Sequence, residues 1–372
     1  GNTEGNYNTA VGFYAGYSNT TAINNVAIGY DALRDTTTGG DNVGVGRRAL
    51  YENTTGGQNV AIGSGALYDS TTGSYNNALG YGSLTNNTTA GYNSAFGSMT
   101  LEANTTGASN CAFGYTSLKV NTTGSENTAY GNNTLRLNTT GSYNIGVGRF
   151  AGYSNTTGSY NTFIGFRSGY SATTADKNTA LGGDTLYTNS TGHSNVAIGW
   201  ETLRLATGNS NTGVGYNAGE DVTTGENNLL LGQDAGRSGT PSGEITTGSN
   251  IVCLGNNQIT DLYCADTSIS SSDSRDKTDV ADFTHGLNWV NQLKPVTYRW
   301  DKRSWYDDNT PDGSKKRNKK HIGFLAQDVL AIEGNPTNKD DMLVVNLNED
   351  DTAYGLKYER LVPVLVNAIK EL

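Results

Sequence analysis

Side chains that could do chemistry are few in this chain of 372 residues, and most are badly placed for it. Asp31, Glu52, Glu102, Glu126 and Glu201 stand at different offsets along the sequence, so no pair of carboxylates recurs side by side as glycoside hydrolysis requires. His193, His285 and His321 are isolated and read as structural. Cys111, Cys253 and Cys264 form neither a CxxC pair nor a disulfide framework. No His/Cys/Asp/Glu cluster has metal-site spacing, so neither a metal nor a cofactor is expected. What remains is Ser272 and Lys277, in the stretch Ser270-Ser271-Ser272-Asp273-Ser274-Arg275-Asp276-Lys277. A serine hydroxyl is a poor nucleophile without a base. A lysine amine can be that base where burial disfavours its ammonium form, and a tight turn would bring it within reach. Spacing alone favours the plainer reading, a linker serine and a solvated lysine.

The elements that must position such a pair come in two parts. Residues 271–372 hold fifteen basic and seventeen acidic side chains; the other 270 residues hold only ten and eighteen. A sparse, acidic first part argues against a nucleic-acid groove, which needs clustered Lys and Arg. No run approaches 18 apolar residues, so no membrane insertion is expected. The basic run Lys315–Lys320 sits in a Gly/Asp/Pro-rich loop and reads as solvated. The start at Gly1, with no Met and no basic, apolar leader, is what a processed chain or a fragment would show.

The first part is a repeat. Asparagine recurs every seventeen residues from Asn8 to Asn195, and a glycine follows each by four, from Gly12 to Gly199. The period slips to sixteen at Asn211 and resumes at Asn228, giving about fifteen copies of N-x-[AG]-h-G-x-x-[AST]-[LG] that end near Gly255. Seventeen residues suit one coil of a β-solenoid, with stacked coils ~4.8 Å apart and like residues in ladders. The residue before the glycine is apolar (Val11, Ile28, Val45) and the one before that is small (Ala10, Ala27, Gly44), Phe163 being an exception. Neighbours in a strand face opposite ways, so one column lines the coil and the other is left for burial against other chains. A second short strand is expected at Ala32-Leu33, Ala49-Leu50 and their equivalents. Asn19, Asn53, Asn87, Asn104, Asn121, Asn138, Asn155 and Asn189 begin N-x-[ST], which makes them either glycosylation acceptors or a turn ladder bonded to local backbone. Tyrosines such as Tyr51, Tyr68, Tyr75, Tyr92, Tyr153 and Tyr160 have the chemistry to stack on sugars, or simply to decorate a shaft.

From about residue 265 the pattern becomes that of an ordinary amphipathic domain. Ser272-Asp273-Ser274-Arg275-Asp276-Lys277 leads to Leu293-Lys294-Pro295-Val296-Thr297-Tyr298-Arg299-Trp300, then His321-Ile322-Gly323-Phe324-Leu325-Ala326-Gln327-Asp328, then Leu356 to Leu372. In this order these motifs resemble the C-terminal intramolecular chaperone of phage tailspikes and tail fibres, the endosialidase type. The resemblance implies a module that trimerises, sets the register of the β-rod upstream, and cuts itself off. It assigns Ser272 as nucleophile, Lys277 as base, Arg275 as a supporting motif residue and Ser272–Asp273 as the broken bond. Leu356, Leu361, Leu365, Ile369 and Leu372 recur at helical spacing, which fits a three-helix seam, with Pro363 near the helix start.

The expected architecture is therefore an all-β solenoid of 17-residue coils in a trimeric rod over 1–255, a linker or neck over 256–271, and a small α+β chaperone domain over 272–372 that ends in a helix. The expected function is a homotrimeric viral tail fibre, located in the virion, that attaches to a host. Its expected partners are a cell-surface glycan or protein receptor and other tail proteins. Its enzymology is at most single-turnover autoproteolysis. The repeats are also similar to the heads of trimeric bacterial adhesins, so an extracellular cell-surface adhesin is the first alternative. The non-catalytic part of a tailspike glycanase is the second.

Overall fold

An asparagine that returns every seventeen residues can bond to its own kind only if the chain winds once per repeat, and it does. The computed structural model describes residues 3–240, 242–259, 274–306, 308–348 and 353–372. They form two compact units, Gly1–Arg237 with Ile245–Gly255, and Ser238–Glu244 with Asn256–Leu372. In the first unit fifteen three-residue strands, β1 (Thr9–Val11) to β15 (Val252–Leu254), pair in sequence order in one parallel sheet. Pairing keeps the repeat register, Ala27 opposite Gly44 and Gly44 opposite Ala61. This is the β-solenoid expected from the period.

Two buried asparagine columns run through it. In the first, each Oδ1 accepts the backbone N–H of the asparagine one coil on, as from Asn42 to Asn25 at 2.9 Å and from Asn59 to Asn42 at 2.9 Å. Each Nδ2 donates to a carbonyl later in its own coil, as Asn110 does to Gly124 at 2.9 Å. In the second column Asn104, Asn121, Asn138 and Asn155 each donate to the Oδ1 of the asparagine before, at 2.7–2.9 Å. These side chains are buried, and their amides are already spent inside the coil. The N-x-[ST] columns are therefore the turn ladder and offer no access for glycosylation.

The small column faces inward: Ala61, Ala95 and Ala129 are fully buried, while the apolar column of Ile28, Leu79 and Tyr130 faces out. The second expected strand is not one. Residues 30–35 form turns in which Asp31 and Leu33 take φ of 56° and 50°, and this reversal turns both Ala32 and Leu33 into the core. A strand would have sent them to opposite faces. The glycine after each strand is required. At Gly63 φ is 136°, and a Cβ there would stand 2.5 Å from the Gly80 carbonyl oxygen of the next coil.

Phe163 fits because its neighbours shrink. Where other coils carry a core leucine, the flanking ones carry Gly152 and Gly169, and a Cβ on either would lie within 2.7 Å of the Phe163 ring. Leu230 is accommodated in the same way by Gly219 and Gly236. Total volume is conserved although each column is not.

The second unit is a small α+β body. Strands β16 (Val296–Tyr298) and β17 (His321–Gly323) pair antiparallel, as do β18 (Val345–Leu347) and β19 (Tyr354–Leu356). Helices α1 (Leu287–Val290), α2 (Ala326–Ile332) and α3 (Leu361–Glu371) complete it. Its core gathers Trp289, Val329, Met342, Val344, Val345, Leu361 and Val364.

The second asparagine column breaks where another residue takes its slot, and two of the breaks leave orphans. The Oδ1 of Asn53 has no donor because the next coil offers Ser70, and that of Asn155 has none because the next offers Ala172. Ser70→Asn should join Asn53 to Asn87 and raise stability by about 1 kcal/mol, read as a higher urea midpoint at unchanged slope.

Candidate functional site

The motif that could cut the chain enters the second unit through a single 3₁₀ turn, Ser274–Asp276, after which the Lys277 N–H donates to the Ser274 carbonyl at 3.4 Å. Lys277 and Arg275 are exposed in the single chain. Ser272 and Asp273, the expected nucleophile and the far side of the expected scissile bond, lie outside the described residues, as do Cys264 and most of the expected linker. A lysine that acts as a base needs its amine buried, and in the single chain Lys277 is exposed.

The body behind the motif is held by the C-terminal helix. The Leu287 N–H donates to Glu371 Oε2 at 2.6 Å, and Asn367 Nδ2 donates to the Phe283 carbonyl at 2.6 Å. The segment that follows the motif is thereby fastened to α3. His285 stacks on Trp289 with 6.2 Å between centroids, and His321 stacks on Tyr298 at 5.5 Å, so each has a packing role.

Helix α3 has two apolar faces. Leu361, Val364 and Ala368 are buried in the unit's core. Val362, Leu365, Val366, Ile369 and Leu372 are exposed, Ile369 at 70% and Leu372 at 89%. Their offsets of three, four, seven and ten from Val362 make a continuous stripe of the kind that packs another helix. The expected seam is thus corrected in membership: Leu361 belongs to the core and Leu356 to β19, while Val362 and Val366 join the stripe. Following only the leucines and isoleucine hid the two valines. Pro363 sits in the first turn, where its missing N–H costs nothing.

The solenoid also leaves an apolar surface. The outward strand residues include Val11 at 57% exposure, Leu79 at 44% and Tyr130 at 60%, with Phe96 and Phe113 stacked at 4.6 Å among them. The surface tyrosines stack chiefly on one another: Tyr51 on Tyr68 and Tyr75 on Tyr92 at 4.9 Å, and Tyr153, Tyr170 and Tyr187 at 5.2 Å. Each of these rings has a stacked neighbour on at least one face, and Tyr170 has one on both. Three acids find cations one coil away, Asp31 with Arg48 at 3.6 Å, Glu102 with Lys119 at 3.2 Å and Asp184 with Arg167 at 2.8 Å. Among the described residues no group of three or more His, Cys, Asp or Glu side chains could hold a metal ion, and no helix is long and apolar enough to cross a membrane.

Residues 272–337 match a family model described as chaperone of endosialidase. The C-terminal unit thus contains a segment similar to that chaperone family. The match opens on Ser272, takes in Lys277, α1, α2 and the β16–β17 pair, and stops before β18, β19 and α3. No curated protein and no solved structure matches the chain. A β-solenoid followed by this chaperone segment fits a fibre-like protein of the endosialidase type with an intramolecular chaperone.

The two faces of α3 predict opposite responses to truncation. Val364→Ala should cost about 2–3 kcal/mol of unfolding free energy, and Val366→Ala less than about 0.5 kcal/mol, measured by urea unfolding followed through tryptophan emission.

Proposed function

We propose that this chain is one strand of a homotrimeric fibre whose C-terminal unit assembles the three copies, sets their register and then releases itself by a single cut. The observation that carries this reading is the chaperone match beginning at Ser272, directly downstream of the fifteen-stranded solenoid. Two apolar surfaces support it. The exposed stripe on α3 gives a trimer a seam, and the outward column of the solenoid gives the assembled shaft an inner face. A coil that repeats every seventeen residues pairs almost as well one repeat out of step, so chains that find each other along the shaft alone would assemble in many registers. Joining the C-termini first removes that choice and raises the local chain concentration.

In this reading Lys277 loses its proton when assembly buries it, takes the hydroxyl proton of Ser272 as that oxygen attacks the scissile carbonyl, and passes it to the leaving amine; water then hydrolyses the ester left on Ser272. Ser272–Asp273 is the bond assigned to the cut, and Arg275 is the remaining charge of the motif. The reaction turns over once per chain. The shaft's place is the virion, in a tail fibre that touches a cell-surface glycan or protein and other tail proteins.

Ser272→Ala should leave one full-length band on a denaturing gel with trimer assembly unchanged. Lys277→Ala should do the same, and Lys277→Arg should not rescue, because a guanidinium stays protonated. Cleavage at the wild-type rate in Ser272→Ala would sink the dyad.

Leu365→Asp combined with Ile369→Asp should keep the second unit folded, since both sites are exposed in the single chain. The native mass by light scattering should fall from three chains to one. A trimer of normal mass would remove α3 from the seam.

A further inference from the structure

The second unit contains a basic, aromatic pocket that the chaperone reading does not use. It has a volume of ≈ 320 Å³ and is lined by Trp300, Lys302, Trp305, Arg317, Lys319 and His321 among others, with no Asp or Glu among its described lining residues. Lys302 Nζ lies 5.2 Å from the Trp300 ring centroid and 5.9 Å from that of Trp305, and the Arg317 guanidinium lies 5.0 Å from Trp305. The frame is fixed by backbone: the Arg317 N–H donates to the Trp300 carbonyl at 2.8 Å, and Arg299 Nε donates to the Asn318 carbonyl at 3.1 Å. Trp305 Nε1 is a buried donor without an acceptor. Among the described residues Lys302 donates to the Asn257 carbonyl at 3.5 Å. Burial first, and the Arg317 charge second, hold the Lys302 ammonium below its ordinary pKa. Two cations drawn together between two indoles, with no acidic side chain among the described lining residues, are what an anion with an apolar body would stabilise.

We infer that this pocket binds a carboxylate whose oxygens lie between Lys302 Nζ and the Arg317 guanidinium while its hydrocarbon part rests on Trp300 and Trp305. The inference is independent of the fibre reading. Phenylacetate is the probe and phenylacetamide its neutral twin, titrated into the full chain with tryptophan emission and calorimetry as readouts. The acid should bind saturably and the amide should not. Lys302→Met and Arg317→Gln should each weaken the acid by roughly tenfold or more, and Lys370→Met, on α3, should leave it unchanged. If Lys302→Met loses its fold by circular dichroism, Arg317→Gln carries the test alone. Equal binding of acid and amide, or unchanged affinity in the folded variants, overturns the proposal. A dilution series separates two sources of the carboxylate. Affinity independent of protein concentration assigns a free small acid, and affinity that falls as chains associate assigns a carboxylate carried by a second copy of this chain.

Discussion

The solenoid depends on one hydrogen bond made again and again: the amide oxygen of a buried asparagine accepting the backbone N–H of the asparagine one coil later. An unpaired amide in this interior would cost more than the bond itself contributes, so each coil fixes the position of the next. The core beside it is thin, mainly one alanine and one leucine per coil, and could not impose that order through apolar burial alone. Turn residues with positive φ, Asp31 and Leu33 among them, are strained for L-amino acids, and the ladder tolerates them because their N–H groups bond across coils. Leu33, for instance, donates to Ala49 at 2.9 Å.

That interior sends the larger apolar residues outward. Inside there is room for a methyl group and a leucine, and a bigger side chain enters only where glycine replaces the leucine, as around Phe163. The bulk of the Val, Ile, Leu and Phe content of the strands therefore faces away from the coil that carries it. The second unit meets the same condition differently: α3 gives one face to its own core and leaves the other apolar. Each unit has apolar surface beyond what its own core uses.

Much of this was legible in the sequence because a repeat exposes its own geometry. The period gave the coil, the strand triplets and the two kinds of face. Which face turned inward was not legible, since alternation says only that neighbours point apart. The supposed second strand misled because Ala32-Leu33 reads as a strand pair, whereas positive φ at Asp31 and Leu33 puts both inside, and nothing in those residue types announces it. Phe163 did stand out as an exception, but the glycines that make room for it lie eleven residues before and six after, beyond the reach of a column-by-column reading. In the second unit the pocket escaped notice because Arg317 reaches Trp300, Lys302 and Trp305 through contacts distant in sequence, such as the backbone bond from Arg317 to Trp300.

The solenoid is a ruler whose divisions are almost all alike. From Asn8 to Asn195 every division is seventeen residues long; only the step to Asn211 is short, and only the coil from Asn228 to Asn250 is long, with twenty-three residues. Both odd divisions lie at the C-terminal end of the scale. Copies laid along one another would find no landmark over most of its length, and the zero of the scale would be readable only near its last marks, so alignment begun there can be checked at once and alignment begun elsewhere cannot.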